Sequence, residues 1–163
     1  MAVDLEERPA APATPLLAEL YAADEVAWLD LMAGLAAAGR AADLDLDHLA
    51  EYLTDMGISE WHAVESRLVV LLMHLLKWDY QPGKRIGSWA STVIVQRGTL
   101  RRTFRDSGTL RRHAEIEFAD LYGDARRGAA AETGLPLAAF PPDCPYTLDA
   151  ALFAPLADDP TAE

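Results

Sequence analysis

Three basic side chains, Arg67, His74 and Lys77, interrupt a nearly continuous apolar run, ESRLVVLLMHLLKW. Spaced seven and three residues apart, they fall on one narrow stripe of a helix. Burying three bases is costly unless they are paired or hydrated. The stripe is therefore either a satisfied network between helices, with Lys77 reaching for water, or a site. As a site it would be an anion pocket or acid–base centre in which His74 titrates. Glu51, expected on a neighbouring helix, and Glu65 could supply carboxylates. Gln96, on the expected inner face of the following helix, needs partners if buried, and Arg97 lies beside it. The candidate cluster is Glu51, Arg67, His74, Lys77, Gln96 and Arg97, and the structural network is its expected role. No residue is assigned a catalytic role.

Other spacings point away from familiar chemistry. His48-x-x-Glu51 and His62-x-x-Glu65 invite a metal reading. Di-iron bundles, however, place Glu first and His three residues later, in two copies with two further Glu. With a single cysteine, Cys144, a thiolate zinc site is excluded, so no metal and no cofactor are expected. Cys144 has no activating base nearby in sequence and is expected to be a buried structural thiol. The chain has no phosphate-binding glycine loop, nucleophile elbow or H-E-x-x-H motif. Arg97, Arg101 and Arg105 recur every four residues, where like charges repel by a few tenths of a kcal/mol per pair. From Lys84 to Arg112 eight Lys/Arg face one acid, a local +7 that leaves −19 for the rest. The expected reading is a basic helix seated against acidic neighbours, since phosphate-led binding normally comes with a basic domain.

These residues need helices to hold them. Asp24 caps a helix running to about Ala38, with Val26, Trp28, Leu29, Met32 and Leu35 at helical spacing and Gly39 at its end. Asp47 caps a second helix, whose Leu49, Tyr52, Leu53 and Met56 face a core and which Gly57 stops or kinks. Ser59 caps a third, reaching about Trp78. Trp61, Val64, Leu68, Leu71, Leu75 and Trp78 form its 3-4 seam, and its nearly all-round apolarity makes it the central helix. Pro82 and Gly83 break the chain, and Ser88 opens a fourth helix with Trp89, Val93, Gln96, Leu100 and Phe104 inward. After the Ser107–Thr109 turn, a fifth helix directs Leu110, Ala114, Phe118, Leu121 and Ala125 inward and ends at Gly134, Leu135 and Pro136. Thr147 caps a short last helix to Phe153. There is no sustained β-alternation, so the expected fold is all-α: a single-domain bundle of five to six helices. The boundaries are a disordered tail over 1–15, the helical domain over 16–155 and a flexible C-terminus over 156–163.

The balance of 26 acidic against 14 basic residues gives a net charge of −12 in 163 residues. Such a surface favours solubility and repels phosphate backbones. The N-terminus has no apolar signal-peptide core, and the longest apolar run is too short to span a bilayer. A cytoplasmic protein is expected, with one cysteine fitting a reducing compartment. Its partner would be an unknown protein or a second copy. Nucleic acid and membrane are not expected as partners.

The ordered set SRLVVLLMHLLKWDYQP, SW-x-x-T-V, QR, ETGL and FPPDCPYT resembles the bacterial domain-of-unknown-function family 29, over roughly Tyr21 to Phe153. Matching positions include Trp28, Glu51, Arg67, His74, Lys77, Trp89, Gln96, Arg97 and Glu132. The resemblance implies a small, all-helical, stand-alone bacterial domain and implies no activity. Tyr52 stands where the family usually has Glu, Ile58 where it has Arg and Gly108 where it has Pro, so an acidic catalytic face on the second helix is not supported. The leading expectation is a helical binding or interaction module rather than an enzyme. The alternatives are a small-anion-binding protein or an enzyme built on the His74 cluster, and nucleic-acid association through the arginine-rich helix.

Overall fold

The computed structural model describes residues 14–157, with side chains from Leu16 onward. Among these residues there are six α-helices and no strand. They are α1 (Thr14–Ala23), α2 (Glu25–Ala37), α3 (Leu46–Tyr80), α4 (Gly87–Asp106), α5 (Gly108–Thr133) and α6 (Leu148–Phe153). The tail expected over 1–15 lies outside the described residues except for Thr14 and Pro15, which begin α1. No described helix is long and apolar enough to cross a membrane. The fold divides into two compact units, Met1–Gly57 and Ile58–Glu163, with the boundary inside α3.

In the first unit the Asp24 side chain accepts from the backbone N–H of Ala27 at 3.0 Å and starts α2. Gly39 follows the end of α2 at φ 70°, the left-handed conformation glycine adopts without strain. Trp28, Met32 and Leu35 on α2 form a small core with Leu17 of α1. Asp45 is buried with them and accepts from the Trp28 indole at 3.3 Å. Its carboxylate also meets the His48 ring at 2.8 Å and the His48 backbone N–H at 3.4 Å. Asp45, rather than Asp47, therefore holds the start of α3. Leu49 and Tyr52 pack on this core. Leu53 and Met56, expected beside them, are 63% and 49% exposed.

Gly57 does not stop α3, which runs through it for 35 residues, and Ser59 lies inside the helix and caps nothing. One interior glycine costs a helix about 1 kcal/mol. Without a proline or a chain reversal after it, that cost is too small to end the helix.

The second unit is a bundle around α3. Leu68, Leu71, Leu72 and Leu76 are fully buried against Val93 and Leu100 of α4, Ala114, Ala125 and Ala129 of α5, and Ala151 and Leu152 of α6. Burial of each leucine stabilises by about 1.5–3 kcal/mol relative to exposure. Small residues on α5 allow close approach: a Cβ on Gly128 would stand 2.8 Å from the Met73 sulfur. Ser107 ends α4, and its hydroxyl accepts from Leu110 to begin α5. Gly134 closes α5 at φ 71°. Trp61, expected in the core seam, is 41% exposed and stacks on His113 at 5.3 Å.

Polar bonds fasten the proline-rich segment after α5 to the helices. Arg126 donates to the carbonyls of Leu137 and Phe140, and Tyr122 to that of Pro141. The Trp78 indole donates to the Ala157 carbonyl at 2.8 Å. Leu156 is buried. Residues 158–163 lie outside the described residues.

Candidate functional site

The six residues of the candidate cluster separate into distinct arrangements. Glu51 is exposed in the first unit and lies on α3 itself, not on a neighbouring helix, because α3 does not break. The other five lie in the second unit.

Lys77 is 4% exposed, and its Nζ meets Glu132 Oε2 at 2.5 Å in the last turn of α5. The same Nζ sits 4.6 Å from the centre of the Trp89 ring on α4. A carboxylate on one side and a π-face on the other offset the cost of burying an ammonium. Arg67 is exposed, and its Nη1 donates to Gln96 Oε1 at 3.4 Å. Arg97 turns to α6, where its Nε donates to the Ala151 carbonyl at 2.7 Å. That carbonyl lies in the last turn of α6, where acceptors lack a partner within the helix.

His74 is half-buried, and its Nδ1 lies 2.8 Å from the Val70 carbonyl one turn back. A carbonyl only accepts, so Nδ1 carries the proton. Burial is the largest influence on the imidazole and pushes its pKa below the usual value, while the Val70 bond opposes that shift. Of the charges nearby, Lys77 lowers the pKa and Glu132 raises it. The neutral ring retains an acceptor at Nε2, the feature a general base would need. Arg67, His74 and Lys77 lie on one helix, and each uses its polar atoms on a different partner.

Two further arrangements involve histidine. His113 Nε2 meets Glu65 Oε1 at 2.7 Å, joining α5 to α3. His48 belongs to the buried Asp45 network, and His62 is exposed. Among the described residues, no group of three or more His, Cys, Asp or Glu side chains could hold a metal ion. Cys144 is half-buried; its thiol donates to the Tyr146 carbonyl at 3.4 Å, and burial pushes its pKa up. The Tyr146 hydroxyl donates to Asp79 Oδ2 at 2.6 Å. Burial first, and then that bond, hold the phenol strongly in its protonated form.

The arginine ladder divides in the same way. Arg97 is committed to α6, whereas Arg101 and Arg105 join Arg111 of α5 at a cleft beside Phe153. The sequence marked the first two through their spacing. Arg111 was visible only as part of the basic segment.

The family model described as Domain of unknown function DUF29 matches residues 20–154. No curated protein and no solved structure matches the chain.

Proposed function

The chain belongs to the DUF29 family, and on that footing we propose that it is a cytoplasmic bacterial interaction module that docks an α-helix of a protein partner. The observation carrying this reading is an uncovered ridge in the first unit. Leu46, Ala50, Leu53 and Gly57 follow one another at 4-3-4 spacing along α3, and all four are exposed. That spacing is the pattern of a helix-pairing seam. Leu46 and Leu53 are 65% and 63% exposed, and Ala50 and Gly57 between them let a second helix approach closely. Only Leu17, Trp28, Met32 and Leu35 are buried apolar residues of this unit among those described. A core this small gains much from further apolar cover.

Charge favours a partner over a second copy. Asp47 lies exposed to one side of the ridge, with Glu51 and Asp55 exposed successively further round the helix. A second copy would set acids near acids, whereas a helix with basic flanks would complement them. The pairings Lys77–Glu132 and Arg67–Gln96 support a structural role for the stripe and hence binding over catalysis. The single cysteine and acidic balance support a cytoplasmic setting.

Fluorescence anisotropy with two designed helical peptides tests this reading. Both carry a leucine seam; one is flanked by lysines, the other by glutamates. The lysine-flanked peptide should bind, and the neutral substitution Leu53→Gln should weaken it at least about tenfold, or 1.4 kcal/mol. Equal binding by Leu53→Gln, or no binding, would overturn the reading. Concentration-dependent dimerisation abolished by Leu53→Gln would replace the partner with a second copy.

A further inference from the structure

The second unit holds a cleft of about 190 Å³ between α4, α5 and α6, lined by Arg101, Phe104, Arg105, Arg111, Leu152 and Phe153. Phe104 and Leu152 are buried and form an apolar floor, while Phe153 is exposed. Three guanidinium groups therefore stand around an apolar recess. Their states differ. Arg111 donates to Asp149 at 2.8 Å and to Glu115 at 3.0 Å, and those carboxylates, Asp149 foremost, hold its pKa up. Arg105 donates to its neighbour Asp106 at 3.3 Å. Arg101 donates its Nε to the Arg97 carbonyl at 3.2 Å and lays its guanidinium 5.6 Å from the centre of the Phe153 ring. Among the described residues it has no carboxylate partner. Its planar fork is thus held by a backbone bond and a ring face, with charge left to offer.

We propose that this cleft binds a singly charged carboxylate carried on a small apolar group, with Arg101 receiving the carboxylate and Phe104, Leu152 and Phe153 receiving the apolar part. The charge of the ligand follows from the pairings: Asp149, Glu115 and Asp106 balance the three guanidinium groups in number and leave only the Arg101 fork without a carboxylate of its own, so the cleft has one place for a carboxylate and no excess positive charge for a dianionic phosphate. Its size follows from the volume, which is below the about 300–1,000 Å³ of sites for drug-sized ligands. Two sources share this chemistry, namely the C-terminus of a peptide ending in an apolar residue and a free short-chain carboxylic acid. The site is separate from the α3 ridge, and Arg101 plays no part in the helix-docking reading.

The test is a titration of the full chain followed by NMR, reading the Arg101 Nε–H and the Phe153 ring. Hexanoate and N-acetyl-Ala-Leu with a free carboxylate are the principal probes. Hexanol, acetate, hexyl phosphate and the amidated dipeptide are the controls. At least one principal probe should shift both resonances saturably, and each control should bind at least about tenfold more weakly. Stronger binding by the dipeptide assigns the site to a peptide C-terminus, and stronger binding by hexanoate assigns it to a free acid. Arg101→Gln should abolish the response while leaving the remaining amide spectrum in place, and Arg101→Lys should retain part of it. The proposal is overturned by the absence of saturable shifts with either principal probe, by equal binding of hexanol, by tighter binding of hexyl phosphate, or by unchanged binding in Arg101→Gln.

Discussion

Lys77 and Glu132, 55 residues apart in sequence, meet at 2.5 Å and fasten the last turn of α5 to the central helix. Only the lysine is buried; the Glu132 side chain is 49% exposed. Removing Lys77 therefore leaves a carboxylate that water can solvate, and the loss divides between the charged hydrogen bond and the buried lysine stem. Lys77→Ala should cost about 2–3 kcal/mol, combining a lost charged hydrogen bond with lost methylene burial. Lys77→Met keeps the stem and should cost about 1 kcal/mol less. Urea unfolding of the two variants checks the order, and equal losses would show that packing of the stem contributes nothing.

His74 makes stability depend on pH. Its folded pKa is lowered, chiefly by burial, so below about pH 6.5 the unfolded state binds the proton more readily. Stability is therefore complete above that pH and falls as pH drops from about 6.5 toward the folded pKa. His74→Gln should flatten this part of the profile. Parallel profiles for the two proteins in urea melts between pH 5 and 8 would contradict the assignment.

Leu71 is fully buried and Leu75 is 4% exposed at the centre of the second unit. Truncation of either to alanine should cost about 2–5 kcal/mol. Denaturant midpoints that barely move would remove α3 from the core.

Gly57 tests the unbroken helix. It lies in mid-helix, and a Cβ there would meet nothing within 4 Å. Gly57→Ala should stabilise the protein by about 0.5–1 kcal/mol. A lower melting temperature would mean that α3 needs the glycine's freedom at this point.

Local rules placed much of the fold from sequence. Asp24, Gly39, Gly134 and Thr147 mark helix ends where the structure has them, because capping depends only on a few neighbouring residues. The Val64–Leu68–Leu71–Leu75–Trp78 seam is buried because its periodicity is itself the packing signal. The failures arise where a distant partner decides. Leu53 and Met56 have core-like spacing, but α2 covers only the Leu49 and Tyr52 side of that turn. Trp61 has the seam's register, yet it ends against the His113 ring near the surface. The candidate cluster shows the same limit. One helix fixes the line through Arg67, His74 and Lys77, while Gln96, Val70 and Glu132 fix what each does.

The most direct test of the account is a methyl NMR titration of the full chain with the lysine-flanked leucine-seam peptide. The helix-docking reading predicts saturable shifts centred on the methyl groups of Leu46, Leu53 and Met56, lost in Leu53→Gln. Shifts spread evenly over the acidic surface, or none at the Leu46–Gly57 ridge, would contradict it.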